Sequence, residues 1–282
     1  MKGRSGSRTE AMDKKEFVLK AVADKKDLIV EVSDKIFDYA ETGFHEFKTA
    51  KLYEDVLKKE GFQVEMGVGG MPTAFKATYG TEKPVIGFLA EYDALPELSQ
   101  EGGCTMRKKA EGENPDGHGC GHNLLGAGAM AAALAVKAYL EEHPEAGSVV
   151  LFGCPSEEKG DGKAIMAREG IFDGVDAAFT WHPGDKNEIW SESTLANVSV
   201  FFNFKGVTSH AAAAPELGRS ALDAAELMSV GVNYLREHII SDARIHYAYR
   251  DVGGIAPNVV QGHSRVHYFI RAPKSWQVKE IY

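Results

Sequence analysis

The sequence predicts an α/β protein with a mixed, mostly parallel sheet flanked by helices, followed by a smaller α+β domain. Three observations support this fold class. Residues 84–91 and 148–154 are continuous apolar runs, typical of strands buried on both faces. Strand-like and helix-like patterns alternate up to about residue 190, and then the order becomes strand, helix, strand, strand. The length of 282 residues is enough for about two domains.

The elements of the first domain follow from the spacing of apolar residues. A recurrence every three or four positions predicts a helix, and Gly61 is a typical helix terminator. In chain order, the predicted elements are helices 13–40 and 47–60, strands 62–66, 74–79 and 84–91, helix 122–142, strand 148–154, helix 163–169 and strand 177–181. The polar, glycine-rich residues 98–117 predict a loop.

The smaller domain is predicted from a different pattern. Residues 195–204 alternate between apolar and polar, as a half-exposed strand does. The predicted elements that follow are helix 220–236 and strands 244–250 and 259–270. We therefore expect a catalytic domain over residues 1–192 and the smaller domain over residues 193–282.

Charge and composition exclude several classes of protein. Lys and Arg number 32 and Asp and Glu number 41, which gives a net charge of −9 without any basic run. Such an acidic chain is a poor candidate for binding nucleic acid through its phosphates. The proportions of hydrophobic residues, 44%, and of charged residues, 26%, are those of a globular protein.

No membrane association is expected, and we expect the protein in the cytoplasm. The most apolar stretch, residues 124–136, is shorter than the ~18 apolar residues of a membrane span, so it predicts a buried helix. The polar residues 1–17 lack the apolar core of a signal peptide. The cysteines Cys104, Cys120 and Cys154 are odd in number and form no CxxC pattern, which favours a reducing compartment.

Two motifs carry side chains suited to metal binding and acid–base chemistry. Residues 116–123, DGHGCGHN, place Cys120 and His122 in a glycine-rich turn before a helix, and both are good ligands for zinc-like metals. The same turn alone also fits a plain helix cap. Glu157 and Glu158 follow an apolar strand, so one carboxylate can bind metal while the other accepts a proton from water. A Glu–Glu pair alone also fits a solvated loop.

Two further motifs follow strands. His182 ends an apolar strand, and Asp93 in EYD can orient a metal-bound histidine. Because ligands gather at the carboxyl ends of parallel strands, the four motifs together favour a metal site over separate structural roles. A thiol hydrolase, with Cys120 as nucleophile and His122 or His182 as base, is a weaker alternative, since it does not need the Glu157–Glu158 pair.

Five segments, in this order, resemble the aminoacylase-type family of dinuclear-metal amidohydrolases and peptidases. They are AEYDALPE, GHGCGHNLLG, PSEEKGDGKAIMAREG, WHP and SHAAAAPELGRSALDA. The resemblance is strongest to the branch that contains auxin-conjugate hydrolases and p-aminobenzoyl-glutamate hydrolase, and it runs from about Glu41 to the last residue. It implies a zinc-peptidase-like catalytic domain with an inserted α+β domain that acts as lid and dimerisation domain.

The resemblance also implies a role for each residue of the catalytic domain. Cys120 would bridge two divalent metal ions, zinc or manganese. His122 and His182 would complete the protein ligands of one ion, and Glu158 would bind the other. Glu157 would be the general base, and Asp93 would lie behind the metals.

In the smaller domain the resemblance implies substrate-binding residues and partners. A protonated His210 would reach from the partner subunit of a homodimer and stabilise the oxyanion, and Asn258 and Arg271 would hold the substrate carboxylate. The homodimer would form through this domain, and a separate second subunit is a further possible partner. From the residues alone, His210 is equally a turn residue before a helix, and Arg271 equally forms a surface ion pair.

The expected function is metal-dependent hydrolysis of the amide bond in a small N-acyl or N-aroyl amino acid. p-Aminobenzoyl-glutamate, giving p-aminobenzoate and glutamate, is the first expected substrate. Two alternatives are a dipeptidase or carboxypeptidase of the same family and a non-catalytic homologue. The family takes its last metal-ligand histidine from a C-terminal segment, whereas this sequence ends at Tyr282, and His263 and His267 lie in a predicted strand. The resemblance therefore predicts a C-terminally truncated chain.

Overall fold

A five-stranded sheet organises the first of the two units into which the chain divides, Met1–Asn187 and Glu188–Tyr282. The computed structural model describes residues 6–191 and 193–282, so residues 1–5 of the polar N-terminal stretch lie outside the described residues. The strands are β1 (Gln63–Met66), β2 (Phe75–Tyr79), β3 (Val85–Ala90), β4 (Ser148–Gly153) and β5 (Ala177–Phe179). Their order in the sheet is β1-β2-β4-β3-β5.

The sheet is mixed, which confirms that part of the predicted fold class. β3 lies parallel to both β4 and β5, whereas β2 lies antiparallel to both β1 and β4. Four of the five strands therefore run in one direction, and β2 runs against them. Since β3, β4 and β5 are parallel, the segments that follow them emerge at the same edge of the sheet.

Five helices in the described part of this unit accompany the sheet: α1 (Gly6–Asp24), α2 (Lys26–Tyr39), α3 (Phe47–Lys59), α4 (His122–Glu142) and α5 (Gly162–Arg168). The single helix predicted over residues 13–40 is wrong, because the chain leaves helical geometry at Lys25 (φ −105°, ψ 8°). The ammonium of Lys25 lies 2.7 Å from the carboxylate of Glu60. An ion pair with the end of α3 thus accompanies the break between α1 and α2.

The core of the first unit lies around β4 and α4. All six residues of β4 are buried, as its continuous apolar run predicted, whereas only Gly87 and Ala90 are buried in β3. Of the described helices, α4 is the one long and apolar enough to cross a membrane by length and composition, and 61% of its most apolar window is buried. The core helices of globular domains meet the same criterion, and α4 packs on β3 and β4.

The second unit contains a three-stranded antiparallel sheet covered on one face by helices. Its elements are β6 (Ala196–Lys205), α6 (Ala221–Leu235), β7 (Arg244–Asp251), β8 (His263–Ala272) and α7 (Ser275–Ile281), and β8 is the central strand. Val266, Tyr268 and Ile270 of β8 are buried in the core of this unit. The strand predicted from residue 259 begins later, because residues 258–260 pair with residues 209–211 instead. Helix α7 was not predicted.

Candidate metal centre

The predicted site residues of the first unit, together with Glu91, lie after three parallel strands and at the turn into α4. β3 ends before Glu91 and Asp93, β4 ends before Glu157 and Glu158, and β5 ends before His182. α4 begins at His122, directly after Gly121. Gly121 adopts a positive φ of 79°, which a glycine accepts without strain, and the chain turns there between Cys120 and His122.

Cys120, His122 and His182 form the first cluster. Their ligand atoms all lie within 4.8 Å of one another, and Sγ of Cys120 is 3.3 Å from Nε2 of His182. Nδ1 of His182 lies 2.9 Å from the carbonyl oxygen of Pro183. Since a carbonyl only accepts, Nδ1–H donates to it, and Nε2 presents its lone pair toward the sulfur. The three donor atoms therefore converge as metal ligands do.

Asp93 fixes the tautomer of His122. Nδ1 of His122 lies 3.0 Å from Oδ1 of Asp93, and Oδ2 of Asp93 accepts from the backbone N–H of Glu158 at 3.0 Å. Burial works to raise the pKa of Asp93, but the bonds from His122 and from Glu158 outweigh burial, and the pKa is lowered. The carboxylate is therefore ionised, Nδ1 of His122 carries a proton, and its Nε2 faces away from Asp93.

Nε2 of His122 faces three carboxylates. It lies 3.4 Å from Oε2 of Glu91, 3.6 Å from Oε2 of Glu157 and 3.9 Å from Oε1 of Glu158. Among the described residues, this nitrogen, Oε2 of Glu91 and Oε1 of Glu158 are buried without a hydrogen-bond partner. Groups of this kind are costly to bury unless a cation lies between them. Together with the thiol and imidazole of the first cluster, the donor set fits divalent ions such as zinc or manganese.

The shifted pKa values in this cluster indicate a need for positive charge. Burial lowers the pKa of His122, but the bond to Asp93 and the charges of Asp93 and Glu91 outweigh it and raise the pKa. Burial, aided by the charges of Glu158 and Glu157, raises the pKa of the Cys120 thiol to about 11. A thiol that stays protonated near neutral pH is a poor nucleophile, so the thiol-hydrolase alternative loses support.

A buried carboxylate that sequence analysis missed holds the loop before Glu157. The buried Ser156 has a positive φ of 57°, and its N–H donates to Oε1 of Glu46 at 2.8 Å. Oε2 of Glu46 accepts from the hydroxyl of Thr73 at 2.9 Å. Glu46 stands 110 residues before Ser156, in a segment without a recognised motif, so no signal in the sequence pointed to this contact.

Glu91 is the second residue without a role in the sequence analysis, although it belongs to the EYD motif. Its side chain is buried, and its Oε1 forms an ion pair with Lys163 on α5. The spacing of Glu91 and Asp93 in the sequence could have indicated a role for Glu91. Glu91 stands two positions before Asp93 in an extended segment, and alternate residues of such a segment point the same way.

The segment before His182 is positioned by α4. Nε1 of Trp181 donates to the carbonyl oxygen of Leu125 at 3.0 Å. A Cβ at Gly128 would lie only 2.8 Å from the indole, so a glycine is needed where the ring lies against the helix. The glycine- and alanine-rich composition of α4 thus helps to place His182.

The three site residues predicted in the second unit lie on its loops and on β8. The His210 loop pairs with the segment at Asn258, because the N–H of Ala211 donates to the carbonyl oxygen of Asn258 at 2.9 Å. Arg271 lies on β8, opposite Asn197 of β6 and Arg244 of β7. Their roles toward a substrate stay predictions.

The loop around His210 orients its ring. Its Nδ1 accepts from the backbone N–H groups of Ala212 and Ala213, each at 3.2 Å. Because the two backbone N–H groups engage Nδ1, Nε2 is the ring nitrogen left to donate to a ligand.

His118, beside the cluster, gives a prediction about stability and pH. Its Nε2 lies 3.0 Å from the carbonyl oxygen of Ile36, and burial lowers its pKa from 6.5 to about 4. Between about pH 6.5 and pH 4, His118 is protonated in the unfolded chain but stays neutral in the folded chain. The free energy of unfolding therefore decreases as the pH falls from about 6.5 to about 4. Between pH 7 and pH 4, His118 is expected to lower the free energy of unfolding of the wild type by on the order of 3 kcal/mol, and His118→Asn should not show this decrease.

The measurement is urea unfolding of the wild type and His118→Asn at both pH values, with replacement of the exposed His45 by Asn as the control. If the wild type and His118→Asn lose stability equally on acidification, His118 is not the group responsible.

Comparison with known proteins identifies relatives of this arrangement. Residues 87–272 match the family model described as peptidase family M20/M25/M40. The chain is 50% identical over 267 residues to a p-aminobenzoyl-glutamate hydrolase subunit of Escherichia coli (strain K12), covering 94% of this chain and 55% of that protein. It is 35% identical over 221 residues to Xaa-Arg dipeptidase of Mus musculus, covering 75% of this chain and 47% of that protein. The chain thus spans about half the length of these curated relatives.

A solved structure shares the fold. The aminobenzoyl-glutamate utilization protein from Klebsiella pneumoniae superposes with a TM-score of 0.66 at 19% identity. The superposition covers 94% of this chain and 71% of that one. At this level of identity the likeness is one of fold.

Proposed function

This chain belongs to peptidase family M20/M25/M40, and from that membership we propose that the protein carrying it is a metal-dependent amidohydrolase. It hydrolyses the amide bond of an N-acyl or N-aroyl amino acid, and p-aminobenzoyl-glutamate is the first substrate to test. The observation that carries the proposal is Nε2 of His122, which is buried, has no hydrogen-bond partner among the described residues, and lies close to both the Cys120 sulfur and three carboxylates. The 50% identity to the E. coli hydrolase supports the substrate.

Cys120, His122, His182 and Glu158 are the residues of this chain that we propose hold two divalent ions, zinc or manganese. When bound, such ions acidify water and polarise the carbonyl oxygen of the substrate. Asp93 keeps the Nε2 lone pair of His122 available by holding a proton on Nδ1. The second unit would serve as lid and dimerisation domain.

Glu157 is the proposed general base. Its side chain is 39% exposed, so it can meet both water and substrate while its Oε2 stays 3.6 Å from Nε2 of His122. The carboxylate takes a proton from the attacking water as the oxygen bonds to the amide carbon. The C–N bond then breaks, and Glu157 gives the proton to the departing nitrogen, which leaves an amine and a carboxylic acid that releases its remaining proton to solvent.

The second unit would supply the remaining polar groups. His210 of a partner subunit would donate its Nε2–H to the oxyanion, a contribution typically worth about 3–4 kcal/mol for one donor. Asn258 and Arg271 would hold the carboxylate of the amino acid. Support for His210 comes from its Nδ1, which is engaged by two backbone N–H groups and so leaves Nε2 as the donor.

The test is metal analysis combined with a substrate panel. The purified protein is assayed with zinc and with manganese on p-aminobenzoyl-glutamate, N-acetyl amino acids and dipeptides with a C-terminal arginine. Cleavage of aroyl-glutamate supports the proposal. Faster cleavage of dipeptides supports the second candidate, a dipeptidase, which the 35% identity to Xaa-Arg dipeptidase favours. Absence of bound metal and of all turnover would leave the non-catalytic homologue.

We also propose a homodimer formed through the second unit. Leu227, Val230 and Tyr234 lie along one face of α6 and are 73%, 50% and 68% exposed. The sheet order β6-β8-β7 leaves β6 and β7 as edge strands of this sheet. An exposed apolar helix face and an edge strand are both surfaces suited to pairing with a second copy.

Leu227→Glu is expected to shift the protein from dimer to monomer, because it places a charge in the proposed apolar contact. Mass is measured by light scattering after size-exclusion chromatography. Leu217→Glu is the matched control, since Leu217 is equally exposed at 71% but lies outside α6. A dimer that survives Leu227→Glu would exclude this face of α6 as the contact.

Two further expectations are retained as proposals. The E. coli relative is named as one subunit of its enzyme, which supports a separate second subunit as partner. Cys104, Cys120 and Cys154 are all free thiols, which supports a reducing compartment such as the cytoplasm.

A further inference from the structure

Glu91 is a buried carboxylate of the metal centre that the proposed hydrolysis does not use. Its side chain is 8% exposed, and its two oxygens have different surroundings. Oε1 is paired with the ammonium of Lys163. Oε2 is buried, has no hydrogen-bond partner among the described residues, and lies 3.4 Å from Nε2 of His122.

The position of Glu91 is fixed from two sides. α4 passes so close to its backbone that a Cβ at Gly126 would lie 2.6 Å from the carbonyl oxygen of Glu91. On the other side, Lys163 of α5 holds Oε1. Because the backbone and one carboxylate oxygen are both held, Oε2 stays directed at the volume in front of His122. The chain thus holds an unsatisfied oxygen in place, which is costly unless a ligand completes it.

That volume is already lined by ligand-type atoms. One oxygen of Glu91, Nε2 of His122 and one oxygen of Glu157 lie within 4.8 Å of one another. Asp93 engages Nδ1 of His122, so Nε2 is the ring nitrogen that faces Oε2 of Glu91, at 3.4 Å. Two electron-rich atoms at this distance attract the same cation.

We propose that Glu91 is a further ligand of the metal centre, that its Oε2 binds the same ion as Nε2 of His122, and that Lys163 is the positioning residue that holds the other oxygen. This inference rests on the proposed function, since it concerns the same metal centre. An added carboxylate oxygen also gives the centre a harder donor beside the sulfur and imidazoles. It favours manganese more than it favours zinc.

Metal binding tests the proposal without any activity assay. The metal-free chain is titrated with zinc chloride and with manganese chloride by calorimetry, and bound metal is counted after dialysis. We expect Glu91→Gln to weaken binding of one equivalent about 10–100-fold, with the larger loss for manganese. Gln keeps the shape of the side chain and an acceptor for Lys163 but removes the negative charge.

Lys163→Met separates a ligand from a structural ion pair. Removing the ammonium frees Oε1 but leaves the full charge of Glu91 facing the ion, so metal binding is expected to weaken less than in Glu91→Gln. Glu141→Gln is the matched control, because Glu141 also pairs with a lysine, Lys137, but is 51% exposed on α4. It should bind metal as the wild type does.

Three results would overturn the proposal. Wild-type metal affinity in Glu91→Gln would exclude Glu91 as a ligand and leave the proposed function intact. Equal losses in Glu91→Gln and Lys163→Met would show that the pair only holds α5 in place. A wild-type chain that binds neither ion would overturn this proposal and the metal centre of the proposed function together.

Discussion

Glu157→Gln is expected to lower kcat for amide hydrolysis roughly 10²–10⁴-fold while the protein keeps its metal. Glutamine has nearly the same size as glutamate but cannot take a proton from water near neutral pH. Glu157 lies beside the ligand atoms, yet its side chain is the most exposed of the three carboxylates facing His122. The loss should therefore fall on the chemical step. It is measured as kcat and KM on the best substrate of the panel, with metal content determined on the same preparation.

Two variants make this result interpretable. Glu158→Gln is expected to lose metal as well as turnover, because Glu158 is a proposed ligand. Glu169→Gln changes an exposed carboxylate just after α5 and should leave both quantities unchanged. Retained turnover in Glu157→Gln would remove Glu157 from the proposed mechanism, and lost metal would reassign it as a ligand.

Asp93→Asn is expected to weaken metal binding by about 10–100-fold, although Asp93 is not a proposed ligand. The carboxylate accepts two hydrogen bonds, from Nδ1–H of His122 and from the backbone N–H of Glu158. An asparagine offers only one oxygen. If that oxygen faces Glu158, the amide donates to Nδ1 of His122 and moves the ring proton to Nε2, which removes the lone pair needed for metal. If the asparagine oxygen faces His122 instead, the side-chain NH2 group faces the backbone N–H of Glu158, and the two donors repel each other.

The measurement is calorimetric titration of the metal-free variants with zinc chloride. Asp176→Asn is the control, because Asp176 also accepts a backbone N–H, from Val85, but lies in an exposed position directly before β5. Unchanged zinc affinity in Asp93→Asn would mean that the tautomer of His122 does not depend on the carboxylate of Asp93, since the backbone carbonyl of residue 93, 3.1 Å from Nδ1, is kept.

Much of the fold could be predicted because buried helices and strands have recognisable patterns of apolar residues in the sequence. The six buried residues of β4 form a continuous apolar run, and the bounds of α4 were predicted without error. The reversed direction of β2 could not be predicted, since strand direction is set by pairing between residues far apart in the chain. The break at Lys25 was missed for a similar reason, because its contact with Glu60 links two helices.

In the candidate site, too, local patterns could be predicted from the sequence, whereas contacts between distant segments could not. A metal site could be predicted because its candidate residues follow predicted strands or lie at the turn into a predicted helix. The family resemblance then implied which of them are ligands: Cys120, His122, Glu158 and His182. The family resemblance drawn from five motifs is confirmed by the match over residues 87–272. Contacts between residues far apart in the chain have no local sequence pattern that predicts them. Glu46 supports the loop before Glu157 from a distant segment, and only the folded chain shows it.

The central claim is that Cys120, His122 and His182 converge on a bound cation. Titration of the metal-free chain with cobalt(II) tests it most directly, because cobalt bound by a thiolate absorbs in the near ultraviolet through sulfur-to-metal charge transfer. We predict that this absorption appears with the wild-type chain, disappears in Cys120→Ala, and persists in Cys104→Ala, whose cysteine lies in the 98–117 loop. If the wild-type and Cys120→Ala spectra were the same, the sulfur of residue 120 would not be a ligand, and the proposed metal centre would be wrong.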